Sequence, residues 1–187
     1  MGEPKQLLRV GENTMLGQTI DNVCRSALRE IILVLGDSAE RIRRDLPLPE
    51  GLKVVDNPSW QQGMASSLRA GLSAVGPETE AALIILADQP FVRPETFNRL
   101  AQHYVESRAQ IVIPTHRGIR GNPVLLGRSV FAEVMTLEGD VGCRSIFGHH
   151  LQGVVKLEIE DEGILLDIDN QGDYERLRSF RPGALTE

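Results

Sequence analysis

Asp88 closes an apolar run, Leu83-Ile-Ile-Leu-Ala-Asp-Gln-Pro90, in which a carboxylate and then a proline stop a predicted strand. A short, wholly apolar run of this kind fits a strand buried on both faces, as in a parallel sheet. Ligands of open α/β sheets bind beyond the carboxyl ends of such strands. On that reading Asp88 stands where a metal and a phosphate can meet. The other reading is a plain turn, which Asp ahead of Pro also signals. The run alone leaves the two even.

Other segments carry residues of matching chemistry. Lys5 follows Met1-Gly-Glu-Pro, and an ammonium just after a Gly-x-Pro turn is a compact charge for phosphate oxygens. Taken alone, it reads as a solvated terminal lysine. From Asp56 to Leu72, a strand end at Asn57 leads through Gly63 into a helix with Ser66 and Ser67 in its first turn. The free amides and positive end of that helix suit an anionic or polar ligand. The two hydroxyls add donors and acceptors, although serine at a helix start is also an ordinary cap. Trp60 reads as loop packing, and Gly71 as a point of close helix–sheet approach.

Between Pro114 and Leu125, Arg117, Gly118, Arg120, Gly121 and Asn122 make a basic loop. It either closes over a polyanionic substrate through bidentate contacts or moves freely in solvent. His116 beside it reads as exposed. From Glu138 to Arg144, Asp140 is expected to cap the helix that follows, with Arg144 available to a phosphate. Nothing near Cys143 marks it as a nucleophile, and His149 and His150 read as surface. In Leu165-Leu-Asp-Ile-Asp-Asn170, Asp167 and Asp169 lie two apart, so on a strand they share a face. They are candidates for further oxygen ligands of magnesium, which takes few carboxylates plus waters and phosphates. Alternatively, Asp169 or Asn170 caps the last helix.

The elements that must position these residues alternate. Strands are expected at 31–35, 53–56, 83–87, 110–114 and 123–126, and a hairpin at 154–159 and 164–168 turning through Glu160 to Gly163. Helices are expected at 15–28, 39–45, 63–75, 94–107, 128–137, 142–149 and 171–180. Alternating strand and helix predicts an α/β fold with a mostly parallel sheet. No repeat or linker interrupts the 187 residues, so they read as a single domain.

Composition narrows the function classes. The net charge of −6 argues against a nucleic-acid or anionic-membrane partner. No apolar run approaches spanning length, and no signal-peptide pattern is present. Two cysteines without pair spacing fit a reducing, cytoplasmic setting. No Ser/His/Asp or Cys/His arrangement marks a protein nucleophile.

In order along the chain stand Met-Gly-x-Pro-Lys-x-Leu-Leu, Asn-Pro-x-Trp-x-x-Gly-Met-x-x-Ser-Leu-x-x-Gly, Leu-Ala-Asp-Gln-Pro, Arg-Gly-Asn-Pro-Val-Leu, Gly-Asp-x-Gly-x-Arg and Asp-Ile-Asp. This order resembles the MobA-like NTP transferase family over nearly the whole chain, closest to its molybdenum cofactor cytidylyltransferase branch. The resemblance implies a Rossmann-like three-layer α/β domain of the nucleotide-diphospho-sugar transferase type. It implies a magnesium-dependent transfer of a nucleoside monophosphate, CMP from CTP, onto the terminal phosphate of a molybdopterin acceptor, with release of pyrophosphate. Asp88 would then be the magnesium ligand, Asp169 a second and Asp167 a weaker candidate. Lys5 would hold the phosphates. Asn57, Gly63, Ser66 and Ser67 would line the nucleotide site, and Arg117, Arg120, Gly121, Asn122 and Arg144 would face the acceptor. GTP in place of CTP, or a non-catalytic protein that passes the cofactor to a molybdoenzyme, are the rival expectations. Family members begin with a strand and a Leu-Ala-Ala-Gly-x-Ser-x-Arg loop directly before Met-Gly. Here the sequence begins at that Met, so the first strand and phosphate loop are expected to be missing from residues 1–187.

Overall fold

The computed structural model describes residues 4–180. A small antiparallel hairpin, β1 (Arg9–Val10) and β2 (Asn13–Thr14), precedes α1 (Met15–Cys24). Then come β3 (Ile31–Leu35), α2 (Ala39–Asp45), β4 (Leu52–Asp56), α3 (Met64–Ser73), β5 (Ala81–Ile84) and α4 (Pro94–Ser107). The remaining elements are β6 (Ile111–His116), β7 (Ile119–Arg120), β8 (Val124–Gly127), α5 (Phe131–Val134), β9 (Val154–Glu158) and α6 (Gln171–Leu177).

Local chemistry sets several of these boundaries. Thr14 Oγ1 accepts the Gly17 amide at 3.0 Å and so starts α1. Pro94 occupies the first turn of α4, where its missing N–H costs nothing. Asn170 caps α6 by accepting the Asp173 amide at 3.0 Å.

The domain has three layers, visible in the alternation of side chains. In β6 and β8, Ile111, Ile113, Val124 and Leu126 pack towards α3 and α5, with Leu68, Leu72, Val130 and Val134. Their neighbours Val112 and Leu125 pack on the other face with Leu100 of α4. In β3, Leu33 and Leu35 share a cluster with Leu16 and Ile20 of α1, whereas Val34 faces Gly71 of α3. The Val34 methyl would lie 3.2 Å from a Cβ at position 71, which explains a glycine there.

The sheet is mostly parallel in direction. β3 and β4 are parallel neighbours, and β6 and β9 are parallel neighbours. β8 runs against both β5 and β6, so β5, β6 and β9 all point the same way. Among the described residues the sheet falls into two parts, β3–β4 and β5–β8–β6–β9 with β7 at its end. Between β3 and β5 lies a cavity of about 1200 Å³, walled by apolar side chains of both strands and of α1 and α3.

Several expected elements take another form. The strand expected at 83–87 pairs only over 81–84, because its partner β8 begins at Val124, directly after Pro123. The loop expected at 115–122 is a hairpin, with Arg117 and Gly118 at positive φ (51° and 76°) in its turn. The helix expected at 128–137 is a 3₁₀ turn at 128–130 followed by the single turn α5, and 142–149 gives way to 3₁₀ turns over 143–150. The hairpin expected at 154–168 does not form. β9 pairs with β6, and 162–165 is a 3₁₀ turn that Asp161 caps through the Gly163 amide at 3.1 Å.

Candidate active site

The strand ends of β3, β4 and β5 share one edge of the sheet, and the predicted site residues gather there in two groups. In the first, Lys5 Nζ lies 2.9 Å from Asp88 Oδ2 and 3.2 Å from Asp169 Oδ1. Lys5 reaches this point because the 3₁₀ turn Lys5–Leu7 is anchored by Leu7, packed with Leu35 and Ala87. Asp88 is placed by the loop after β5, held from several sides. Asn22 of α1 donates to the carbonyls of Pro90 and Val92, each at 3.0 Å, and the Ile168 amide donates to the Asp88 carbonyl at 3.1 Å.

Asp167 joins the same group, although not through a strand: residues 166–170 are an irregular segment. Its carboxylate accepts a short hydrogen bond from the side chain of buried Gln89. Desolvation pushes the Asp167 carboxyl above its ordinary value. The Gln89 hydrogen bond opposes the rise, and the charges of Asp88 and Asp169 add to it. Burial works against the Lys5 ammonium, but the bond and charge of Asp88, then of Asp169, outweigh it and hold Lys5 above its usual range.

Asp88 and Asp169 thus share one ammonium, with Asp167 near enough to feel the charges of all three. Among the described residues no three acidic, histidine or cysteine side chains form a ready-made cation cage. The donor set still fits a hard divalent ion, which takes one or two carboxylates and completes its shell with phosphates and water. Asp88 and Asp169 would hold it, with Asp167 beside them and Lys5 released towards phosphate.

The second group is neutral. Asn57, buried at the end of β4, donates to Ser66 Oγ at 2.8 Å and Ser67 Oγ at 3.0 Å, and its carbonyl oxygen accepts the Ser59 amide at 3.0 Å. Ser66 donates onward to the Gly63 carbonyl at 2.8 Å, so its hydroxyl is committed within the protein. Ser67 faces the cavity. The start of α3 differs from expectation. The Met64 amide is taken by Asp140 Oδ1 at 3.2 Å, and the Ala65 amide by the Gly139 carbonyl at 3.2 Å. Asp140 therefore caps α3, not the segment after it, and these amides are not free for an anion. Gly63 (φ 94°) is required here, since a Cβ would fall 2.5 Å from the backbone of Gly139 and Asp140.

The predicted acceptor residues split. Arg120 lies over the Phe147 ring at 4.3 Å and lines the cavity mouth with Gly121, Asn122 and Arg144. Desolvation, then the charge of Arg144, lowers the Arg120 pKa. Neither guanidinium has an acidic partner among the described residues. Arg117 instead serves the hairpin turn through its backbone, where Glu158 accepts the amides of Arg117 and Gly118. The loop is therefore fixed, not flexible. His116 is half-buried and donates from Nδ1 to the Ile159 carbonyl at 2.9 Å. His149 and His150 both contact Glu133, each at 2.5 Å, away from this edge.

Sequence reasoning missed Gln89 and Asp161. Gln89 lies in the Asp-Gln-Pro motif and links Asp167 to the Ile164 carbonyl at 3.5 Å. Asp161, 3% exposed, accepts the Arg93 amide at 2.9 Å and the Thr96 hydroxyl at 2.6 Å, bracing the loop beyond Pro90. One acid among three in Glu160-Asp-Glu-Gly163 gives no sequence signal for that role.

The sequence profile of the MobA-like NTP transferase domain matches residues 1–154. The chain belongs to the MobA-like NTP transferase family. It is thus of the nucleotidyltransferase type, on the nucleotide-diphospho-sugar transferase fold. The chain is 26% identical over 176 residues to the molybdenum cofactor cytidylyltransferase of Escherichia coli, covering 93% of this chain and 86% of that one. It is 27% identical over 180 residues to the nicotine blue oxidoreductase of Paenarthrobacter nicotinovorans, covering 93% and 87%. A Mycobacterium tuberculosis protein solved in complex with manganese superposes with a TM-score of 0.82 at 32% identity, covering 94% of this chain and 92% of that one. Among the described residues, no helix of this MobA-like NTP transferase is long and apolar enough to cross a membrane.

Proposed function

We propose that this protein transfers CMP from CTP onto the terminal phosphate of a molybdopterin-type acceptor, releasing pyrophosphate, with magnesium as the divalent ion. One observation carries the reading: the Lys5 ammonium lies between Asp88 and Asp169, with Asp167 alongside. That crowding of carboxylates suits a cation and a polyphosphate, and the M. tuberculosis relative was solved with manganese. The two curated relatives have near-equal identity and different named activities. The choice between them therefore draws on the residues, which suit phosphate chemistry.

An oxygen of the acceptor phosphate forms a bond to the α-phosphorus, and the bond from that phosphorus to the bridging oxygen breaks, with pyrophosphate taking the electron pair. The acceptor is already anionic, so no side chain need remove a proton. When bound at Asp88 and Asp169, the ion supplies charge neutralisation on the phosphates. Lys5 adds a point charge to the phosphate oxygens. Ser67, oriented by Asn57, offers a hydroxyl to the base, while Gly63 and Ser66 keep that wall in shape. Arg120 and Arg144 meet the acceptor's anionic end, and Gly121 and Asn122 form the adjoining backbone.

Replacing Asp88 with Asn tests the reading. Pyrophosphate release should fall by about 10²–10³-fold, the scale for losing one preorganised electrostatic stabiliser, with the melting temperature little changed. Full turnover in that variant would sink it. CTP should raise the melting temperature in magnesium more than GTP does, and the reverse order would assign guanine.

A further inference from the structure

We propose, resting on the nucleotidyl-transfer reading of the site, that Asp140 positions Arg144 for the acceptor by tying the segment that carries it to the first turn of α3. The tie runs along the whole of 137–142. The Asp140 carboxylate accepts the Met64 amide at 3.2 Å, and the Gly139 carbonyl accepts the Ala65 amide at 3.2 Å. The Leu137 carbonyl accepts a short hydrogen bond from the Arg69 guanidinium. Gly142 faces the Met64 thioether, which a Cβ at position 142 would meet at 2.9 Å. A helix start leaves its first amides without partners of its own. In α3 the partners come from a segment 76 residues beyond Met64, so the base wall and the acceptor wall are joined there.

Arg144 takes its place from this segment. The Gly142 carbonyl accepts the Ser145 amide at 3.2 Å and the Ser145 hydroxyl at 2.9 Å, which fixes the turn from which Arg144 projects. Among the described residues nothing hydrogen-bonds to the Arg144 guanidinium, so its backbone decides where it stands. One turn on, buried Phe147 carries Arg120 on its ring at 4.3 Å. The same short segment therefore sets both guanidiniums at a mouth that Ser67 of α3 also lines. Asp140 is exposed and forms no ion pair with Arg144, so it acts through the backbone and not through its charge. Loss of the cap frees 139–142 from α3, while Ile146 and Phe147 stay in the core. A plain capping role would lower stability and leave the acceptor untouched.

The experiment uses Asp140→Ala, which removes the capping oxygen, Asp140→Asn, which keeps an oxygen there without the charge, and Arg144→Ala. With CTP, molybdopterin and magnesium, Asp140→Ala should raise the acceptor KM about fivefold, the ratio that one lost helix cap corresponds to, with kcat unchanged. Asp140→Asn should restore the KM. Asp140→Ala should add nothing in the Arg144→Ala background, because the two substitutions then remove the same contact. Without any turnover, iodoacetamide should reach Cys143, the neighbour of Arg144, about fivefold faster in Asp140→Ala than in Asp140→Asn or the unsubstituted chain. Amide exchange in β6 and β8 should stay the same, which separates local release from unfolding. Lower stability with an unchanged KM, an Asn variant as impaired as the Ala variant, an effect that adds fully to Arg144→Ala, or a Cys143 that stays protected would each overturn the proposal. Absence of turnover in the unsubstituted chain would sink the nucleotidyl-transfer reading instead, and labelling of Cys143 would still decide whether Asp140 holds the segment.

Discussion

At the end of β5, Lys5, Asp88, Asp167 and Asp169 bring titratable groups together with more carboxyls than ammonium. At the end of β4, Asn57, Ser66 and Ser67 meet without a charge among them, and Asn57 uses both ends of its amide. The two groups share one edge of the sheet but differ in how far their own bonds satisfy them. In the neutral group each member is hydrogen-bonded to another, and on the proposed reading only the Ser67 hydroxyl is left to meet a base. The acidic group is left in electrostatic debt, which a divalent ion and a triphosphate would resolve together. On the proposed reading, recognition and reaction would fall to separate strands.

Lys5→Met should separate the two most widely. Turnover is expected to drop by about 10²-fold with the loss of one charge on the phosphates, while manganese binds the free protein more tightly because the competing ammonium has gone. Titration calorimetry checks the second half; weaker manganese binding would break the picture of Lys5 as a competitor. Asn57→Ala should act on the other group alone. It removes the donor to both serines and is expected to cost about 1–3 kcal/mol of stability, with manganese affinity unchanged. A shift in manganese affinity in that variant would show that the groups are not independent. Gly121→Ala probes the border, since its Cβ would come within 2.4 Å of the Ile164 carbonyl. Overpacking there should cost about 1–3 kcal/mol in chemical denaturation. The smallest effect is a control: burial pushes the Cys143 thiol up to about 11, so at pH 8 iodoacetamide should label exposed Cys24 and spare Cys143 in the folded chain.

Contributions that depend on local pattern were legible in the sequence. The apolar runs of β3 and β5, the proline at the start of α4 and the serines opening α3 all follow from neighbouring residues. Asp88 was readable because an apolar run ends on it. Asp167 and Asp169 were singled out as a pair on a strand, yet the structure brings both to Lys5 from an irregular segment. Partnerships across long sequence separations were not legible. Asp140 caps a helix that begins 76 residues earlier, and Gln89 meets Asp167 across 78 residues. From sequence the basic loop at 115–122 admits either closure over a polyanion or free motion, whereas Glu158, 41 residues beyond Arg117, fixes the turn.

The Ile164 carbonyl accepts the Asn122 amide at 3.1 Å from the side proposed for the acceptor and the Gln89 side chain at 3.5 Å from the acidic side. In the proposed reaction, one oxygen would therefore touch both halves. A displacement of the 121–122 backbone by an incoming acceptor would be felt at Gln89 and, through it, at Asp167. Such linkage is reciprocal: whatever factor the acceptor adds to triphosphate affinity, the triphosphate must return to the acceptor. Cooperative loading of two substrates would then need no moving domain, only a shared lone pair.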